Sequence, residues 1–438
     1  MSPPKKSDVL AQKYINSTPP WIKQEDLKDI CTSYDEVEKA SPEGPANFEQ
    51  AISLTGYGKF NYLLLLAILP AGWASIYGST SMSYILPSAE CDLSLTLFDK
   101  GLLNSMPFAG MIVTAFLWGF LTDNYGRKKI LVWGYLSTSI ISLASSFSHA
   151  SWLLILFKFL NGIITTLRDE DFVGKESTSF MQNFNGGWQQ MKPLFKSPYI
   201  LRLILIGLIQ FGGTIGSNTL RLWMPQLFSM IETYEEMHPQ NISGPYPSIC
   251  VMLERTNSTF HNVNTYVNHT MIVEKICAPV VLNSTVYLNS MVIAVTGVIG
   301  YTLAGSLINC AGTKTIMVFC FLTAGLCCGI LYWARDSNGI LGISSVFVAL
   351  SSIGGAAVTN VIVDNFPTSL RAMAIAMTMM LGRVGAVVGN LLFPVLFKWS
   401  CLGPFGMIGI ACLICSVLVL FVPRAKSSLK NSIHINKK

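Results

Sequence analysis

WGFLTDNYGRKKI, residues 118–130, sets Asp123, Arg127, Lys128 and Lys129 within seven residues, between two long apolar stretches. Only 12% of the chain is charged and 51% is hydrophobic, so this cluster marks a boundary that the flanking segments cannot share. Apolar blocks recur on both sides of it, near 60–87, 100–121, 130–147, 152–166 and 200–222, then near 289–309, 315–333, 339–362, 372–396 and 403–422. Most reach the ~20 residues a helix needs to cross ~30 Å of hydrocarbon. The block at 152–166 is the shortest and carries Lys158. A backbone in lipid must satisfy its own hydrogen bonds, which favours helices over open strands. A soluble helical protein would show amphipathic helices and many more surface charges. The expected fold is therefore an all-α polytopic membrane protein.

Topology follows from the cations. By the positive-inside rule, Arg127, Lys128 and Lys129 face the cytosol. Residues 1–58 then read as a polar, disordered cytosolic tail without a signal peptide. Residues 59–166 form a first bundle, and 167–199 a cytosolic linker. Residues 200–422 form a second bundle carrying a lumenal loop at 223–288, and 423–438 a basic cytosolic tail. The loop supplies an independent check through four N-glycosylation sequons, at Asn241, Asn257, Asn268 and Asn283. A further sequon at Asn16 lies in the tail assigned to the cytosol, where it would be unused. The net charge of +6 resides in short loops and tails rather than in a basic-aromatic array, so nucleic acid is excluded as a partner.

Cys310, Cys320, Cys327, Cys328, Cys401, Cys412 and Cys415 lie in or beside apolar spans and read as small buried hydrophobes. Cys250 and Cys277 share the long loop, and an oxidising lumen makes them the expected disulfide. Scattered histidines and the absence of CxxC or HExxH spacing give no metal site, and no cofactor is implied. No nucleophile–base constellation or nucleotide loop argues for an enzyme. The glycine-rich string GRVGAVVGN (382–390) is expected to pack helices rather than bind phosphate.

Gly119, Asp123, Gly126, Arg127 and Lys128 fit G-x-x-x-D-x-x-G-R-K, which resembles the loop between the second and third helices of the major facilitator superfamily. The resemblance implies a conformational latch, held in one state and released in another. An echo at Gly305, Asn309, Gly312 and Lys314 keeps the spacing but replaces the acid by an amide. It fits a fold of two similar halves with a solute held between them. Three stretches, NFEQAISLTGYGKFNYLLLL (47–66), LPSAECDLSLT (86–96) and KGLLNSMPFAGM (100–111), resemble the synaptic vesicle glycoprotein 2-like group. So does DNFPTSLRAMA (364–374), whose Asp364, Pro367, Thr368 and Arg371 match the cytosolic loop after the family's tenth helix.

One break interrupts the pattern. The resemblance implies twelve helices, six per half, yet only two spans follow the first motif loop before the polar segment LRDEDFVGKESTSFMQNFNGGWQQMKPLFKSP. The simplest reading is a chain lacking family helices five and six, with about ten spans arranged four plus six. Losing an even number preserves the topology. Lys158, Asn161 and Arg383 are the candidate pathway residues, because an intramembrane charge is costly unless it meets partners or water. The alternative role for Lys158 is structural, with its ammonium snorkelling to the cytosolic face.

The expected function is transport of a small-molecule solute by alternating access, impaired by the missing helix pair. The alternative left open is a non-transporting membrane glycoprotein with a trafficking or scaffold role. The expected partners are that solute and the lipid bilayer, and oligomerisation would be one way to cover the exposed seam. The expected location is the plasma membrane or an intracellular vesicle membrane.

Overall fold

The computed structural model describes residues 58–125, 127–169, 192–237, 247–261 and 284–423. The chain divides into two compact units, 1–70 and 71–438. The first is helical from Lys59, and its Tyr62, Leu63, Leu65 and Leu66 are exposed. Everything else described belongs to the second.

Every described element is helical. Before the linker come α1 (Lys59–Asp92), α2 (Leu97–Tyr125), α3 (Arg127–Ser145) and α4 (Ser151–Asp169). After a short 3-10 turn at Lys192–Phe195 come α5 (Tyr199–Met237), α6 (Ile249–His261) and α7 (Ser284–Ala311). The chain continues as α8 (Thr313–Leu331), α9 (Ser337–Asn365), α10 (Thr368–Trp399) and α11 (Leu402–Leu420). Each expected apolar block coincides with one of these helices, and α6 alone was not anticipated. Seven of them, α1, α5 and α7 to α11, are long and apolar enough to cross a membrane. Lys129–Ser145 and Ser151–Thr166 are shorter apolar helices. The chain is a multi-pass membrane protein.

Two ends of the bundle serve as landmarks. One carries the α1–α2 turn, the α8–α9 turn, the α10–α11 turn and α6, and is called the α6 end below. The opposite, linker end carries the α2–α3 and α9–α10 connections.

The segment expected as a loop at 223–288 is largely helical where it is described. Helix α5 runs on to Met237 because Trp223, Met224, Leu227, Phe228, Met230, Ile231 and Tyr234 continue its buried face. Trp223 stacks on Phe393 of α10 with ring centroids 4.4 Å apart. Helix α6 packs against this extension, with the Thr256 hydroxyl donating to the Met230 carbonyl at 3.3 Å. Of the four sequons, Asn257 falls on the α6 backbone. Its side chain, together with Asn241, Asn268 and Asn283, lies outside the described residues.

The disulfide expectation needs correction. Cys250 is bonded to Cys401, not to Cys277, and Cys91 is also disulfide-bonded. Cys277 lies outside the described residues. The sequence places Cys401 beside an apolar span, but the fold sets it in the α10–α11 turn at the same end as α6. The Ile249 N–H donates to the Ala334 carbonyl at 3.0 Å, docking the start of α6 on the α8–α9 turn beside that cysteine.

Glycines set the closest helix crossings. A Cβ on Gly385 of α10 would overlap the Phe211 carbonyl of α5, and one on Gly389 would overlap the Thr219 hydroxyl. The string 382–390 is thus a packing seam, as its placement in an apolar helix suggested.

Candidate functional site

Helix α5 carries Gln210, Thr214, Ser217, Asn218 and Arg221, polar residues spaced three to four apart and hence on one face of a 3.6-residue helix. A second face of α5 is small. A Cβ on Gly212 would stand 2.5 Å from the Cys415 sulfur of α11, and one on Gly216 would stand 2.9 Å from that of Cys412. With this small face seated on α11, the polar face lines a cavity of about 190 Å³. Tyr301 of α7, Phe321 of α8 and Ser351, Ser352 and Gly355 of α9 complete its walls.

The hydrogen bonding of the walls is uneven. Arg221 donates from Nη2 to Asn218 Oδ1 at 3.1 Å, while the Asn218 amide Nδ2 is buried without a partner. The Thr214 and Ser217 hydroxyls donate back to the Gln210 and Gly213 carbonyls at 2.7 and 2.8 Å. Ser351 and Ser352 both donate to the Val348 carbonyl, at 3.1 and 2.7 Å. Each hydroxyl has therefore committed its single hydrogen, leaving oxygen lone pairs as acceptors. Arg221 is the one charged residue among those lining the cavity.

A second polar group lies in the first four helices. Lys158, near the middle of α4, donates from Nζ to the Ser81 hydroxyl of α1 at 3.5 Å. It is buried there rather than reaching for a helix end. One turn on, Asn161 donates to the Ser142 hydroxyl of α3 at 3.2 Å, and its Oδ1 accepts from Thr165 at 3.2 Å. Arg383 sits at the centre of α10, half-buried.

The two sets of helices meet near the α6 end. Glu90 of α1 pairs with Lys100 of α2 at 2.5 Å, and its Oε2 also accepts from Gln226 of α5 at 3.3 Å. The Ser88 hydroxyl lies 3.3 Å from that of Tyr287 on α7. Gly101 of α2 lets α10 approach, since a Cβ there would stand 2.7 Å from the Asn390 carbonyl oxygen.

At the linker end the motif loops are described in part. Gly119 and Asp123 lie in the last two turns of α2, and Arg127 and Lys128 in the first turn of α3. Their side chains, and Gly126 altogether, lie outside the described residues. The echo is better defined. Gly305 lies on α7 with open space where a Cβ would project, and the Asn309 side chain is outside the described residues. Gly312 takes φ 81°, left-handed backbone that favours glycine, and caps α8. Lys314 then donates to the Leu420 and Val422 carbonyls at 2.5 and 2.9 Å, closing the C-terminus of α11. Asp364 is exposed in the last turn of α9, and Pro367 caps α10, whose first turn holds Thr368 and Arg371. The Thr368 side chain is not described. Arg202 of α5, not Arg371, reaches the end of α9, donating to the Asn365 carbonyl at 3.2 Å.

Lys158 and Asn161 lie one turn apart on α4, whereas Arg383 lies on α10, and the cavity on α5 was not anticipated as a site. Gln210 and Asn218 stand out as polar residues in an apolar block, and Arg221 sits at the margin of the block 200–222. Their shared spacing was the available signal.

A family model described as the Major Facilitator Superfamily matches residues 68–169 and 280–436, more than half of the chain. Synaptic vesicle glycoprotein 2A of Rattus norvegicus is 31% identical over 116 residues, 26% of this chain and 16% of that protein. The putative transporter svop-1 of Caenorhabditis elegans is 24% identical over 143 residues, 32% of this chain and 28% of that one. The match thus spans about a sixth of the length of the synaptic vesicle relative. Among solved structures, a D-xylose-proton symporter superposes with a TM-score of 0.54 at 12% identity, covering 80% of this chain and 95% of that one. The nucleoside transporter NupG gives 0.52 at 10% identity, covering 80% and 94%. At such low identity these two carry the fold alone. The family match rests on sequence and the superpositions on shape, and together they show that the chain belongs to the major facilitator superfamily.

Proposed function

We propose that the chain is a transporter that moves a small polar solute across a membrane by alternating access, with the cavity on α5 as the solute site of the second half. The observation that carries this reading is the cavity itself. A polar stripe between closely packed membrane helices is expensive unless it meets water or a ligand. Membership in this superfamily supports transport rather than catalysis. The contacts among Glu90, Lys100 and Gln226, with Ser88 and Tyr287, would close the path at the α6 end, which we assign to the lumen or exterior on the cation and sequon pattern. The motif loops at the cytosolic end would hold or release the opposite gate.

We further read the chain as lacking family helices five and six, since four spans precede the linker and six follow it. Alternating access rocks two bundles around a shared site, and a four-helix bundle offers an incomplete partner. This one observation also favours the second reading, a membrane glycoprotein that does not transport. The test compares solute uptake, at matched surface expression, for this chain, a version with two helices restored, and each carrying Ser352→Trp to fill the cavity. The expected outcome is weak uptake by this chain, stronger uptake by the restored form, and loss in both on Ser352→Trp. Equal uptake by the two forms would refute the missing-pair reading. Uptake that survives Ser352→Trp would refute the site.

A further inference from the structure

We propose that the solute held by the α5 cavity is a small organic anion, a carboxylate that also carries hydroxyl or amino hydrogens. This inference rests on the reading of that cavity as a solute site. Three independent features point to it.

The first is the distribution of charge. Among the described helices every carboxylate lies within the first or last two turns, whereas Lys158 of α4 and Arg221 of α5 lie further from their helix ends. Deep cations without deep carboxylates make the interior positive, and that favours an anion over a cation.

The second is the pairing of Asn218 with Arg221. Asn218 is only 5% exposed and lines the cavity, yet its Nδ2 has no partner. Its Oδ1 is occupied by Arg221 Nη2, which fixes the amide so that the unpaired nitrogen is a donor. A buried donor left unsatisfied is costly, and an anionic oxygen there would relieve it. The same carboxylate could take its second hydrogen bond from the remaining guanidinium N–H groups, which are built for planar oxyanions.

The third is the opposite hydrogen-bonding sense further along the stripe. Thr214, Ser217, Ser351 and Ser352 have all turned their hydroxyl hydrogens onto backbone carbonyls. What they offer a ligand is acceptors, so the solute must bring donors to that end. One ligand satisfies both ends: negative where it meets Asn218 and Arg221, hydroxylated or aminated where it meets the serines and Thr214. Size sets the scale. A protein cavity of about 150 Å³ takes up benzene, so a cavity of about 190 Å³ suits a solute of monosaccharide size or less.

The full chain, reconstituted in nanodiscs, is tested by the shift in melting temperature with three probes at equal millimolar concentration. Sodium gluconate is the hydroxylated carboxylate, glucose its neutral counterpart and choline a cation. Gluconate is expected to raise the melting temperature, glucose to raise it less and choline to leave it unchanged. Arg221→Gln should weaken gluconate binding about 10–100-fold, the effect of removing a charged hydrogen-bond partner. Arg221→Lys should keep part of the response, because the charge remains. Asn218→Leu, which spares the guanidinium, should weaken gluconate several-fold and carries the test should Arg221→Gln fail to fold.

No gluconate shift in the parent chain, a gluconate affinity unchanged by Arg221→Gln and Asn218→Leu, or a larger shift with choline would each overturn the assignment. The outcomes separate the two readings. A choline response, or a glucose response at least as large as that of gluconate, abolished by Ser352→Trp but spared by Arg221→Gln overturns the anion and leaves the cavity as a solute site. A gluconate response that survives Ser352→Trp overturns the cavity itself.

Discussion

Removing the Glu90 carboxylate is expected to destabilise the protein more than removing the ion pair as a whole. Lys100 is 1% exposed and Glu90 22%, with the ammonium 2.5 Å from the carboxylate. Glu90→Gln would leave that ammonium buried beside a neutral amide. Stranding one charge of a buried pair costs about 3–5 kcal/mol, and the partial exposure of Glu90 argues for the lower end, about 3 kcal/mol. Lys100→Met strands the carboxylate instead, but water and the Gln226 amide still reach it, so about 1–2 kcal/mol is expected. The double variant leaves no stranded charge and should fall within about 1 kcal/mol of the parent. With about 2.1 cal/mol/K of unfolding entropy per residue over 438 residues, 1 kcal/mol moves the melting temperature by about 1 °C, so Glu90→Gln should lower it by about 3 °C and the double variant by about 1 °C or less. The assay is thermal unfolding of detergent-purified protein, followed by intrinsic tryptophan fluorescence. A Glu90→Gln variant that melts with the parent would refute the reasoning. So would a double variant whose loss equals the sum of the single losses, because the two groups would then not interact.

Three further outcomes are expected, two from the geometry and one from the sequon pattern. Non-reducing peptide mapping should recover Cys250 linked to Cys401, and a Cys250–Cys277 peptide in its place would refute the fold at the α6 end. The link joins positions 151 residues apart, and the chain-entropy model gives its loss an upper cost of about 5 kcal/mol, so Cys401→Ser should lower the melting temperature markedly. Lys314→Met removes two hydrogen bonds to the C-terminal carbonyls of α11 and should cost about 1 kcal/mol, measurable in the same melting assay; no change would show the lysine to be idle there. Replacing Asn241, Asn257, Asn268 and Asn283 together by Gln should abolish the mobility shift on glycosidase treatment. A shift that persists, and is lost instead with Asn16→Gln, would invert the proposed topology.

The membrane and the helices are legible in the amino-acid order alone. Apolar runs of spanning length can bury their backbone only as helices, so composition along the chain suffices to place α1 to α5 and α7 to α11. At Gly312 the motif spacing was legible, and the structure adds that its backbone takes a positive φ. The packing role of Gly385 and Gly389 was legible as well, since a glycine in an apolar helix has little else to offer. The tertiary structure alone decided which partners meet. Cys401 reads as one more cysteine beside an apolar span until the α10–α11 turn is brought against α6. Lys100 had no role assigned from the sequence, and only the fold brings Glu90 and Gln226 over it. The cavity is the clearest case. Gln210, Thr214, Ser217, Asn218 and Arg221 share a face by spacing alone, but spacing cannot say which helix that face meets. Only the seating of Gly212 and Gly216 on α11 turns the stripe toward α7 and α9, and rotation about a helix axis is a property of packing rather than of any residue in the helix.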